Sequence, residues 1–125
     1  MLSTKSIVLS LATTVVLAAG PALADHGAKV FKKCKACHTT TAGKHRVGPS
    51  LAGVVGRKAG SAKGYKRYKG LKGADWTWDA ASLDEYLENP KKFTKARSGK
   101  KAAMVLKLRK KKDREHVIEY LKTTK

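Results

Sequence analysis

The pentapeptide Cys34-Lys35-Ala36-Cys37-His38 constrains this chain more than any other stretch. C-x-x-C-H is the sequence form of covalent c-type haem attachment. Two cysteines three apart on one helical turn reach the two vinyl groups along one porphyrin edge, and the histidine that follows points its imidazole at the iron. The chain's 2 cysteines both lie inside the motif, so they leave nothing for a structural disulfide. A zinc site would need a fourth ligand, and the second half of a finger, H-x₃₋₅-H, is absent. A dithiol redox motif belongs in a βαβ setting, which the sequence does not supply.

The first 24 residues read as a leader. Lys5 is the only charge in Met1–Ala24, and an apolar run from Ile7 to Ala19 follows it. Gly20-Pro21 then break any helix ahead of Ala22-Leu23-Ala24, a small-x-small cleavage site. The run falls short of the ~20 residues of a membrane span. The expectation is a cleaved secretory signal peptide over 1–24, cut at about Ala24/Asp25, and one domain over 25–125. That places the protein in the periplasm, soluble once the leader is removed.

The chain carries 28 Lys and Arg against 9 Asp and Glu, a formal net charge of +19, and the leader takes only Lys5 with it. Such an excess costs self-repulsion and speeds encounter with anionic surfaces. Nucleic acid is the usual partner for this balance, but an exported protein rarely meets any. Acidic proteins and anionic membrane surfaces rank ahead of it.

Residues 26–37 read as a first helix. Gly27, Val30, Phe31 and Cys34 form an apolar stripe, and Lys29, Lys32, Lys33 and Lys35 face water. Glycine inside a helix costs stability, so Gly27 marks close approach of another helix. Residues 39–75 show no sustained period and are punctuated by glycines, a loop-rich wrap with one short turn at Leu51–Val55. A loop this long is unusual in a compact domain unless it winds around a cofactor. Asp79 then reads as an N-cap, with Leu83, Tyr86 and Leu87 at helical spacing behind it. Asn89-Pro90 ends that helix. A further short turn follows at Lys91–Lys95, then a polar loop over Ala96–Ala103. The last helix starts near Asp113 and carries Val117, Tyr120 and Leu121 on one face. No segment alternates as a strand. The expected class is all-α.

A haem that only carries electrons needs a second axial ligand, and a thioether raises its potential. Met1 leaves with the leader, so Met104 is the one candidate thioether, 66 residues beyond His38. Of the other histidines, His26 lies near the expected mature N-terminus, His116 inside the last helix, and His45 in a loop where it serves as a hydrogen-bonding bridge.

On Gly27-x-x-x-Phe31, Cys34 to His38, Gly43-Lys44-His45-Arg46-Val47-Gly48-Pro49, Gly56-Arg57-Lys58-x-Gly60, Trp78, Tyr86-Leu87-Glu88-Asn89-Pro90, Met104 and Val117 to Leu121, the chain resembles the class I soluble c-type cytochromes. Bacterial cytochromes c2 and mitochondrial cytochrome c are the nearest in pattern. The resemblance implies a small single-haem fold with crossing terminal helices and loops wrapped around one haem c. Cys34 and Cys37 would be its tethers, with His38 and Met104 on the iron. It further implies that the Pro49 carbonyl accepts from His38 Nδ1–H, that Arg57, Trp78 and Tyr65 serve the haem propionates, and that Tyr86 approaches the Met104 sulfur. Gly27, Phe31 and Tyr120 would form the helix crossing. The chain departs from the pattern at Arg67, with Tyr68 one place late, at Leu71, and in a longer stretch from Asn89 to Met104.

The expected function is one-electron transport, with no catalysis on a small substrate. A membrane quinol-oxidising complex would be the donor and an oxidase, reaction centre or reductase the acceptor. A monomer would dock acidic patches through Lys33, Lys35, Arg46, Lys91, Lys92, Lys100, Lys101, Lys110 and Lys111. The alternatives are a haem enzyme or gas sensor with an open sixth position, and a polyanion-binding module using Tyr65, Tyr68, Trp76 and Trp78.

Overall fold

The structure, a computed structural model, describes residues 20–125. The apolar run Ile7–Ala19, expected to belong to a leader, lies outside the described residues. Four helices follow in order: α1 (Gly20–Phe31), α2 (Ala80–Glu88), α3 (Pro90–Ser98) and α4 (Lys111–Lys122). Among the described residues there is no sheet, only one isolated antiparallel bridge between Lys58 and Thr77. The class is all-α, as expected.

The fold turns on the crossing of α1 and α4. A Cβ built on Gly27 would collide with the His116 carbonyl oxygen and lie 2.5 Å from Tyr120 Cβ, so only glycine lets the two backbones approach this closely. Phe31, 2% exposed, packs its ring 5.3 Å from that of Tyr120, with Val117 and Leu121 buried in the same core. Burial of each such side chain contributes about 1.5–3 kcal/mol. Charge ties α4 to α2: the Arg114 guanidinium is 5% exposed. Its Nε donates to Asp84 Oδ1 on α2 at 2.7 Å, and its Nη1 donates to the Leu108 and Arg109 carbonyls, each at 3.0 Å. The Asp84 carboxylate holds the guanidinium pKa above its usual value.

Several boundaries differ from the sequence reading. Within the described residues helix α1 runs from Gly20 and includes Pro21, so Gly20-Pro21 do not break the chain ahead of Ala22. It ends at Phe31 instead of Cys37. Beyond it Lys32, Lys33 and Cys34 bond three residues back, Cys34 N–H reaching the Phe31 carbonyl at 2.8 Å. This tighter winding at a helix C-terminus puts both cysteines on a turn after the helix. Helix α2 follows expectation, with Asp79 and Ser82 forming a reciprocal capping box. The short turn expected after Asn89 is a nine-residue helix. Asn89 caps α3, Pro90 opens it, and Gly99 at φ 69° closes it. Ala96–Ser98 therefore belong to the helix and not to the polar loop. Helix α4 begins at Lys111, with no side-chain cap. Asp113 sits in its first turn, where a carboxylate meets the positive end of the helix dipole, and pairs with Lys33 at 3.6 Å.

Candidate cofactor site

The turn after α1 is closed by the Cys34 carbonyl, which accepts from Cys37 N–H at 3.1 Å and His38 N–H at 2.9 Å. Cys34 is buried, Cys37 is exposed, and both thiols are free. Burial pushes the Cys34 thiol pKa up, and neighbouring Lys33 partly offsets this. The turn presents two thiols and an imidazole within five residues.

His38 Nδ1 lies 2.7 Å from the Pro49 carbonyl oxygen. A carbonyl only accepts, so Nδ1 carries the proton and the lone pair is on Nε2. Burial lowers the imidazole pKa, the Pro49 bond opposes that shift and Arg57 adds to it. The net direction is down from 6.5, which leaves the ring neutral at pH 7 and Nε2 available to a metal. Gly48 holds the ring in place: a Cβ there would overlap the imidazole, 2.7 Å from Nδ1 and 2.8 Å from Nε2.

The wrap is cross-linked by side chains reaching carbonyls. His45 Nδ1 accepts from Ser50 N–H at 3.0 Å, so its Nε2 carries the proton donated to the Lys63 carbonyl at 2.8 Å. His45 is therefore a bridge between loops. Tyr65 O–H donates to the Val47 carbonyl at 2.5 Å. Arg57 donates through Nη1 to Ala52 and through Nη2 to Ser50. Arg67 reaches the Arg46 carbonyl, and Arg46 in turn reaches the Lys35 carbonyl inside the attachment turn. Sequence reasoning missed these two arginine clamps, because a carbonyl acceptor leaves no mark in the side-chain pattern.

A box of four aromatic side chains lies beyond the wrap. Trp78 packs 4.9 Å from Tyr86 and 5.8 Å from Phe93, and Trp76 stands edge-on to Trp78 and Phe93. Burial pushes the Tyr86 phenol up to about 12, so it remains a neutral donor. Trp76 was absent from the expected site, and the structure places it in a stretch whose burial alternates residue by residue. Ala74, Trp76 and Trp78 are buried, and Asp75, Thr77 and Asp79 are exposed. Backbone bonds from Ala59 N–H to the Trp76 carbonyl and from Trp78 N–H to the Arg57 carbonyl hold this extended piece. Met104 lies in the non-helical segment between α3 and α4, half-buried against the core.

Two buried donors, Trp76 Nε1 and Thr94 Oγ1, have no partner. Each such group costs about 1–3 kcal/mol if left unpaired. Two free thiols on one turn, a neutral imidazole with its lone pair on Nε2, and buried donors without acceptors fit a covalently tethered haem with carboxylate arms.

Comparison with known proteins agrees. The family model described as Cytochrome c matches residues 24–125. A cytochrome c2 iso-1 from Magnetospirillum fulvum is 46% identical over 95 residues, covering 76% of this chain and 94% of that protein. A cytochrome c from the yeast Kluyveromyces lactis is 42% identical over 97 residues, 76% of this chain and 84% of that one. The solved structure of cytochrome c2 from Rhodospirillum centenum superposes with a TM-score of 0.74 at 32% identity, covering 81% and 97% of the two chains. This chain belongs to the cytochrome c family. It is an electron carrier of the cytochrome c2 kind with one covalent haem c, and not an enzyme.

Proposed function

We propose that this protein is exported and carries single electrons in the periplasm, from a membrane quinol-oxidising complex to a terminal oxidase, reaction centre or reductase. The observation that carries the reading is the His38–Pro49 contact at 2.7 Å, which prepares a neutral imidazole as a ligand beside two free thiols. Cys34 and Cys37 would tether a haem, and His38 and Met104 would ligate its iron. A bound haem would supply the one-electron chemistry. Pro49 fixes the His38 tautomer and makes the ring a stronger donor. Met104 would offer the iron a thioether, which raises the potential. Arg57, Tyr65 and Trp78 would serve the haem carboxylates, and Tyr86 would approach the Met104 sulfur. The family match over residues 24–125 leaves the apolar run Ile7–Ala19 outside it, as a leader would be.

Charge distribution supports docking of a monomer onto acidic redox proteins or membrane electron-transfer complexes. No Asp or Glu occurs between Asp25 and Asp75, nor between Glu88 and Asp113. Lys33 and Lys111 are paired with carboxylates, and Lys100 Nζ donates to the Lys72 carbonyl. Lys35, Lys91, Lys92, Lys101 and Lys110 are exposed without such partners among the described residues.

One spectrum tests the reading. Protein matured in a periplasm is expected to be red, to keep its haem under denaturing electrophoresis and to show the methionine–iron charge-transfer band when ferric. Haem that extracts into acidified organic solvent rules out the tethers, and survival of the band in Met104→Ala rules out the ligand. Electrostatic docking requires the rate with an acidic partner to fall with added salt, so a flat dependence excludes it.

A further inference from the structure

Two of the four histidines in the chain have their ring nitrogens committed by the structure: His38 to Pro49, and His45 to Ser50 and Lys63. The other two meet across the helix crossing. His26 on α1 and His116 on α4 face each other with ring centroids 5.3 Å apart and planes inclined by 26°. Neither imidazole has a hydrogen-bond or ion-pair partner among the described residues. His26 is exposed and His116 half-buried, so solvent reaches the pair.

We infer that His26 and His116 form a surface site for a divalent transition-metal ion of imidazole-preferring character, such as Zn²⁺, Ni²⁺ or Cu²⁺. Metal–imidazole bonds are about 2.0–2.1 Å long, so one ion bound tetrahedrally to two rings holds their centroids roughly 5 Å apart. The observed centroid separation, 5.3 Å, is of that size. The rings are stacked, so both must turn about their side-chain bonds to aim one nitrogen each at a common ion. The backbones under the rings are fixed. Gly27 packs directly on the His116 carbonyl, which holds His26 opposite His116 however much chain precedes it. Water completes the coordination. Asp113, Glu115 and Glu119 are engaged by Lys33, Lys111 and Lys122, which leaves Asp25, beside His26, as the one neighbouring carboxylate without an ion pair among the described residues. Hard cations such as Ca²⁺ and Mg²⁺, which need oxygen ligands, are excluded on the same ground. A bound ion would clip α1 to α4 at the contact on which the fold depends, and would act outside the haem pocket.

The test is Zn²⁺ titration of the mature, haem-loaded ferric protein by calorimetry, with thermal unfolding alongside. One ion per chain is expected, with a rise in the unfolding midpoint. His26→Gln and His116→Gln should each weaken binding roughly 100-fold, because each loses the effective-concentration gain of a second ligand. Both should also abolish the Zn²⁺-dependent rise in midpoint. Cu²⁺ should report two imidazole nitrogens in its electron paramagnetic resonance spectrum. Equal affinity in the wild type and either variant, or a Cu²⁺ spectrum with a single imidazole nitrogen, overturns the proposal. Ca²⁺ raising the midpoint as Zn²⁺ does also overturns it.

Discussion

Residues 20–31 and 80–122 are held by apolar faces, whereas residues 39–72 are held by side chains donating to carbonyls. In the first region Phe31, Leu83, Leu87, Val117 and Leu121 bury against one another. In the second, Arg46, Arg57, Tyr65 and Arg67 each reach a backbone oxygen. A glycine-rich segment has few apolar side chains to bury, so it closes with long polar ones instead. A net hydrogen bond of this kind contributes about 0.5–1.5 kcal/mol, against about 1.5–3 for a buried aliphatic or aromatic side chain. The helical frame should therefore fail steeply and the wrap gradually.

The largest effect is expected at the helix crossing. Gly27→Ala forces a methyl group into the His116 carbonyl and should cost about 3 kcal/mol, read as a lower urea midpoint in the haem-loaded protein. Arg114→Ala removes three donors and strands the Leu108 and Arg109 carbonyls. Asp84, one-third exposed, can rehydrate, so about 2 kcal/mol is expected. Tyr65→Phe deletes a single bond of the wrap and should cost about 1 kcal/mol, with faster amide exchange confined to residues 44–50 and 61–68. A loss as large as that of Gly27→Ala, or exchange spreading into α1 and α4, would erase the distinction between frame and wrap.

The smallest effect concerns pH. The Ser82 backbone amide bound to Asp79 holds that carboxylate below its usual pKa. A depressed folded pKa contributes stability above the unfolded value of about 3.9, and the contribution is lost as pH falls through the folded value. Asp79→Asn keeps an acceptor at the cap but cannot titrate. Its urea midpoint should fall less than that of the wild type between pH 5 and pH 3, and identical slopes would remove Asp79 from the acid limb.

Legibility divides along the same line. Apolar spacing marked α2 and the buried face of α4 because both repeat at the helical period. It overran the end of α1: Cys34 continues the stripe of Val30 and Phe31 in spacing, yet lies on a tighter turn. It also cut α3 short, since Lys91 to Arg97 carry only Phe93 as an apolar landmark. In the wrap His45 was readable as a bridge, but Trp76 was not assigned to the site. Its burial depends on pairing with Ala59, a contact distant along the chain.

By itself the sequence determined the tethering chemistry. C-x-x-C-H places two thiols and an imidazole within five residues, and covalent proximity needs no fold to exist. It also determined the helical class and the charge. Tertiary structure decided the rest: which His38 nitrogen carries the proton, which donors lie buried without acceptors, and which histidines meet. Each of these depends on groups far apart in the chain, such as Pro49 against His38 or His116 against His26, and side-chain periodicity records only what lies within a few residues.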